Sequence, residues 1–224
     1  MGFNGIIIIG DNMQERYEEL IKIINEDKLY PIIRCSDPEE AITAGKAMIK
    51  GGIRLLEVNV ESVNMYKAIQ ELSKEAYVCA GSMITTLQAQ MALDCGAVML
   101  SSPIFQMNMV KISKNKRVPF IAGVTTANEA YNAWKARVPL TKVFPTTALG
   151  GAAYISDILR QMPFLNLMPT GNIKLEDVIS YIKAGARCVG VGRDLYADFT
   201  PTEVSNRVKT TLNEIKDFSN WHHN

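Results

Sequence analysis

Residues 36–60 read SDPEEAITAGKAMIKGGIRLLEVNV, and this stretch holds one complete helix-to-strand unit. Asp37 is placed to cap a helix that Pro38 opens, Glu39 and Glu40 put acidic charge into its first turn, and Gly51-Gly52 ends it. The run Leu55–Val60 that follows is rich in Leu and Val and does not alternate cleanly. It therefore predicts a parallel strand covered on both faces.

The same unit recurs along the chain. Runs of this kind predict strands at Tyr30–Cys35, Leu55–Val60, Val78–Gly81, Val98–Ser101, Pro119–Gly123, Thr141–Phe144, Leu165–Met168 and Cys188–Val191. Helical stretches lie between them: Thr86 to Asp94 stops at Gly96, and Leu175 to Lys183 stops at Gly185. Thr200-Pro201-Thr202-Glu203 starts a last long helix towards Phe218, and a further helix, about Met13 to Asn25, precedes the first strand. Eight strand–helix units predict an α/β fold, a closed (β/α)8 TIM barrel with an extra N-terminal helix. A doubly wound open sheet shares the local pattern, but no glycine fingerprint follows the first strand. No linker, low-complexity segment or composition shift divides the chain. The expectation is a single barrel domain over residues 1–224: an N-terminal extension and helix (1–28), the barrel (29–218) and a tail (219–224).

Charge excludes some partners. Lys plus Arg number 24 against 23 Asp plus Glu, a formal net charge of +1, so no field favours nucleic acid or an anionic membrane surface. Cys35, Cys79, Cys95 and Cys188 lie far apart without a C-x-x-C pair, and the two imidazoles, His222 and His223, sit at the far C-terminus. A Cys/His zinc site is therefore not expected, and neither a metal nor a cofactor is implied. Cys35, Cys79 and Cys188 fall in apolar runs, as reduced thiols of a cytoplasmic protein do. Ile6 to Ile9 is too short to span a bilayer and lacks the features of a signal peptide.

In such a barrel the active site is built at the C-terminal ends of the strands. That rule selects Lys142, within Thr141–Phe144. An inward lysine is desolvated, which favours the neutral amine that attacks carbonyls to form a Schiff base. The plainer reading has Lys142 pointing outward or snorkelling to the rim. Glu57, ending Leu55-Leu56, is a candidate proton carrier or else a structural counter-ion of Lys142 or Arg34. Thr170-Gly171-Asn172 and Gly190-Val191-Gly192-Arg193 follow the seventh and eighth strands, where barrels bind phosphate through backbone N–H groups. Two ordinary turns that need glycine would look the same. Arg34 and Ser82 are candidates for a carboxylate or carbonyl oxygen, and each taken alone is more often a rim residue.

Eight of these segments, in this order, resemble the family of 2-keto-3-deoxy-6-phosphogluconate aldolase and 4-hydroxy-2-oxoglutarate aldolase. They are Pro31–Arg34, Gly51–Val58, Ala80–Ser82, Ser102-Pro103, Gly123–Glu129, Lys142–Pro145, Pro169–Ile173 and Gly190–Gly192. The resemblance implies a metal-free, homotrimeric class I lyase that cleaves a 2-keto-4-hydroxy acid, with or without phosphate, to pyruvate and an aldehyde. By position it makes Lys142 of K-x-F-P the Schiff-base lysine and Glu57 of G-G-x-x-x-x-E-V the general acid/base. Arg34, Ser82, Pro103 and Phe144 would line the substrate, with Thr170, Gly171, Asn172, Gly192 and Arg193 at its distal end.

The chain departs from that pattern at ligand-facing places. The family's E-V-T-L-R-T is here Glu57-Val58-Asn59-Val60-Glu61-Ser62, so an acid stands where the arginine for the keto-acid carboxylate is expected. Ser82, Ala122, Ile104, Asn172 and Arg193 replace the usual Thr, Pro, Gly, Gly and Ser. These changes leave two alternatives to the standard aldolase: a non-catalytic or diverged barrel that binds a phosphorylated or acidic metabolite, and a metal-free phospho-sugar isomerase or epimerase.

Overall fold

The computed structural model describes residues 13–221. The Ile6–Ile9 run, His222 and His223 lie outside the described residues. Eight strands form one parallel sheet: β1 (Leu29–Ile33), β2 (Leu55–Asn59), β3 (Tyr77–Gly81), β4 (Met99–Ser102), β5 (Phe120–Val124), β6 (Leu140–Val143), β7 (Leu167–Pro169) and β8 (Val189–Val191). Their order, β7-β6-β5-β4-β3-β2-β1-β8, is that of a barrel opened at one seam. At that seam β7 and β8 share no ladder, and the Arg187 N–H donates to the Leu167 carbonyl at 2.8 Å. The barrel is therefore nearly closed rather than fully laddered.

The helices are α1 (Met13–Asp27), α2 (Pro38–Lys50), α3 (Met65–Leu72), α4 (Thr86–Asp94), α5 (Met107–Lys116), α6 (Ala127–Lys135), α7 (Gly151–Gln161), α8 (Val178–Lys183), α9 (Arg193–Tyr196) and α10 (Pro201–Trp221). The start of α2 is as its sequence implies. The Asp37 carboxylate accepts from the Glu39 N–H at 3.0 Å, Pro38 fills the first turn, and Gly52 turns the chain at φ 113°. The stretch Leu175–Lys183 is a 3-10 turn (Leu175–Asp177) followed by α8, not one α-helix. Strand β7 starts at Leu167, two residues later than its apolar run suggests, because Leu165 packs in the outer core before the ladder begins.

Two apolar layers result. The outer one lies between strands and helices, with Leu56, Val58, Leu100, Ala122 and Val143 facing Met48, Ile69, Ala92 and Ile155. The inner one fills the barrel with Tyr30, Ile32, Leu55, Cys79, Met99, Ile121, Leu140, Met168 and Cys188. Leu20, Ile23 and Ile24 of α1 close it from below. The extra N-terminal helix is thus a plug for the N-terminal end of the barrel, and the opposite end stays open.

Close approach fixes some residues of that open end. A Cβ built on Gly123 would overlap the Pro103 carbonyl and lie 2.6 Å from the Ser102 carbonyl oxygen. Both are main chain of the neighbouring connection and cannot swing aside as a side chain would. Gly123→Ala is expected to destabilise the fold by about 1–3 kcal/mol, the usual cost of overpacking. Urea unfolding checks this, and an unchanged midpoint would show that the connection yields freely.

Candidate active site

Strand parity builds the site. On β2, Glu57 and Asn59 point into the barrel, one above the other, with the apolar Leu55 beneath them. On β6, Lys142 pairs in register with Gly123 of β5 and Met168 of β7, and so shares the interior face with Glu57. Gly81 on β3 supplies the clearance, since a Cβ there would run into the Glu57 carboxylate and the Asn59 amide.

The result is a buried ion pair. Lys142 Nζ lies 2.7 Å from Glu57 Oε1 and 3.0 Å from Oε2, with Lys142 8% and Glu57 0% exposed. Removing two charges from water is expensive and is offset only by close pairing and further hydrogen bonds. Asn59 provides one: its amide NH2 donates to Glu57 Oε1 at 3.0 Å and to the Ser82 hydroxyl at 3.2 Å, while its carbonyl accepts from Arg34 Nε and Nη2, both at 3.2 Å. Ser82 reaches this position in the left-handed region, φ 64°, which is uncommon for a residue with a Cβ. Beneath the pair Cys79 is fully enclosed, and burial pushes its thiol up, reinforced by the Glu57 charge.

Arg34 is the second cationic group. Its Nη1 lies 3.2 Å from Glu61 Oε1, and both side chains are partly open to solvent. Its main chain is clamped by Tyr196, whose hydroxyl accepts from the Arg34 N–H (2.9 Å) and donates to the Arg34 carbonyl (2.8 Å). Burial raises that phenol to about 12. The acid standing where an arginine is expected therefore pairs with the arginine that follows the adjacent strand. Glu61 itself does not line the cavity.

That cavity, about 720 Å³, opens at the C-terminal ends of the strands. All eleven residues selected from the sequence line it: Arg34, Glu57, Ser82, Pro103, Lys142, Phe144, Thr170, Gly171, Asn172, Gly192 and Arg193. Sequence reading did not select Asn59, Lys174, Asp194 and Phe199, which line it too. Asn59 was accessible by parity, being two residues beyond Glu57 on the same strand. Asp194 ties the last two loops together. It accepts from Lys174 Nζ (2.7 Å) and the Leu175 N–H (2.8 Å), while Arg207 donates to its carbonyl (2.8 Å). Burial opposes the Asp194 charge, yet these donors and the Arg207 charge hold its carboxyl below the usual range. Among the described residues, no group of three or more His, Cys, Asp or Glu side chains is placed to hold a metal ion.

Fold and mouth together place the chain in a class, the (β/α)8-barrel aldolases, which are carbon–carbon lyases. Within that class it belongs to the family of KDPG and KHG aldolases, which it matches over residues 20–208. It is 30% identical over 166 residues to the 2-dehydro-3-deoxy-phosphogluconate aldolase of Treponema pallidum, covering 73% of this chain and 79% of that one. The solved structure of a 4-hydroxy-2-oxoglutarate/2-dehydro-3-deoxyphosphogluconate aldolase superposes with a TM-score of 0.78 at 23% identity, covering 86% of this chain and 96% of the other. The Legionella pneumophila KDPG aldolase, solved with pyruvate captured as a covalent carbinolamine, superposes at 0.75 with 22% identity, covering 85% and 97%.

Proposed function

We propose that the protein cleaves a 2-keto-4-hydroxy acid reversibly to pyruvate and an aldehyde, with Lys142 as the Schiff-base lysine and Glu57 as the acid/base. The observation that carries this reading is the 2.7 Å Lys142–Glu57 contact inside the mouth of the barrel. Passage of one proton from the ammonium to the carboxylate leaves a neutral amine facing the cavity and a carboxylic acid beside it. The amine adds to the C2 carbonyl. Glu57 then protonates the carbinolamine hydroxyl, which leaves as water and gives the protonated imine. Removal of the C4 hydroxyl proton breaks the C3–C4 bond, and its electron pair moves into the imine to form an enamine. Protonation at C3 and addition of water release pyruvate and restore Lys142.

The other lining groups divide along the substrate. Arg34, held by Asn59 and Glu61, is the guanidinium for the keto-acid carboxylate. Ser82, Pro103 and Phe144 border the reacting carbons. Thr170, Gly171, Asn172, Gly192 and Arg193, with Lys174, receive the distal end, phosphorylated or not. A lysine and carboxylate this deeply paired favour catalysis over a barrel that only binds its ligand. The test is pyruvate release from 2-keto-3-deoxy-6-phosphogluconate and from 4-hydroxy-2-oxoglutarate, followed by coupled oxidation of NADH. Turnover of at least one is expected. None with either, in folded protein, would leave the metabolite-binding reading.

We read residues 1–224 as one catalytic domain of a cytoplasmic homotrimer without nucleic-acid or membrane partners. Three buried, free cysteines support the compartment. Among the described residues, no helix is long and apolar enough to cross a membrane. Leu87 and Met91 on α4 and Met107 on the adjacent α5, with Ile84 and Ile104 just before these helices, are exposed apolar side chains that support self-association.

A further inference from the structure

At the opposite end of the barrel, where β5 and β6 begin, lies a second cavity of about 420 Å³. Its walls are the end of α5, the turns entering the two strands, and Gln14 and Tyr17 of α1. The two turns carry the same tripeptide, Arg117-Val118-Pro119 and Arg137-Val138-Pro139. Each arginine sits just past its helix in the left-handed region, at φ 53° and 63°. At the turns after α2, α4 and α8, Gly52, Gly96 and Gly185 take φ 113°, 100° and 97°, while Lys28 takes 52° after α1. A Cβ in that region costs roughly 1–2 kcal/mol. Arginine at two glycine positions therefore contributes charge there, not ease of turning.

Lys114 adds a third cation to the same wall, and among the described residues no acidic side chain lines the cavity. None of the three has a carboxylate partner among the described residues. Ser113 also lines it, only 7% exposed. Two guanidiniums and an ammonium around one concavity match the oxygens of a tetrahedral polyanion.

We propose that this cavity binds a small multivalent anion of the phosphate class, at a site separate from the substrate mouth. A phosphorylated metabolite and an inorganic phosphate share the chemistry recognised. Three exposed cations attract it mainly at low ionic strength.

The probe is inorganic pyrophosphate, with 3-phosphoglycerate in a parallel arm to separate the two sources. Both are added to a Lys174→Ala/Arg193→Ala protein, in which the distal cations of the mouth are gone. Pyrophosphate is expected to raise its Tm by several degrees where sodium chloride of equal ionic strength does not. Titration calorimetry should give about one site per chain. Adding Arg117→Gly and Arg137→Gly should abolish the shift and weaken binding at least roughly tenfold. The anion-free Tm should stay or rise, because glycine suits both turns. No shift by either anion before these changes, or an undiminished shift after them, overturns the proposal.

Discussion

Lys142→Met is expected to abolish covalent capture of pyruvate and to slow turnover roughly 10⁴-fold or more, as removal of a covalent nucleophile does. In the unaltered protein, borohydride should fix pyruvate on Lys142, adding the mass of pyruvic acid less one oxygen. Lys174 is the other lysine lining the mouth, and its Nζ is engaged by Asp194 at 2.7 Å. Mapping the modified peptide by mass spectrometry therefore separates a Schiff-base lysine from a bystander. Stability must be followed alongside. Met fills the volume, but Glu57, 0% exposed, loses its counter-ion, and breaking one side of a buried pair costs about 3–5 kcal/mol. Lys142→Met/Glu57→Gln removes both charges and should recover much of that loss while remaining inactive. An adduct that persists on another residue in Lys142→Met, or pyruvate release near the original rate, would remove Lys142 from the chemistry.

The alternation of apolar runs and capped helices was enough to read the barrel, because buried parallel strands leave little room for polar residues. What resisted reading has physical causes. Helices α5 and α6 are followed by Arg117 and Arg137, not by the glycine that marks the turns after α2, α4 and α8. The capping boxes Thr85/Gln88 and Thr126/Glu129, which open α4 and α6, follow the S/T-x-x-E/Q pattern and went unread. Hydrophobic pattern also cannot decide pairing at the ends of a strand. The β7 ladder opens two residues into its run, and the β7–β8 seam is bridged by Arg187 instead of a ladder.

The candidate site was legible in position more than in wiring. The rule that barrel strands end at the active site, together with the family resemblance, gathered eleven residues that do line one cavity. Glu61 shows where that rule stops. Read as sequence, an acid in place of an arginine is a charge reversal beside an anion. In three dimensions it pairs with Arg34, which follows the adjacent strand, and Asn59 links that guanidinium to Glu57. A chain of contacts crossing from β1 to β2 has no signature along either segment alone. Lys174 and Asp194 illustrate the same point, since residues 20 positions apart meet across two loops at 2.7 Å.

The wiring makes a sharper prediction for Glu57. Glu57→Gln keeps the shape and an oxygen for the Lys142 contact but removes the proton acceptor. It is expected to lower kcat by roughly 10²–10⁴, the range for loss of a positioned acid/base. Pyruvate should still become attached to Lys142 under borohydride, more slowly, because attack needs the amine while loss of water and enamine formation need proton transfer. The most direct measurement is exchange of the pyruvate methyl protons in D2O, which reports passage between imine and enamine without any aldehyde partner. Exchange should be rapid with the unaltered protein and suppressed by a similar factor in Glu57→Gln. A structural counter-ion gives another pattern: the buried Lys142 charge, left facing an amide, lowers stability while exchange in the folded fraction is unchanged. The Asn59 N–H held 3.0 Å from Glu57 Oε1 fixes one carboxylate oxygen. The opposing outcomes therefore rest on whether that fixed carboxylate moves protons or only balances charge.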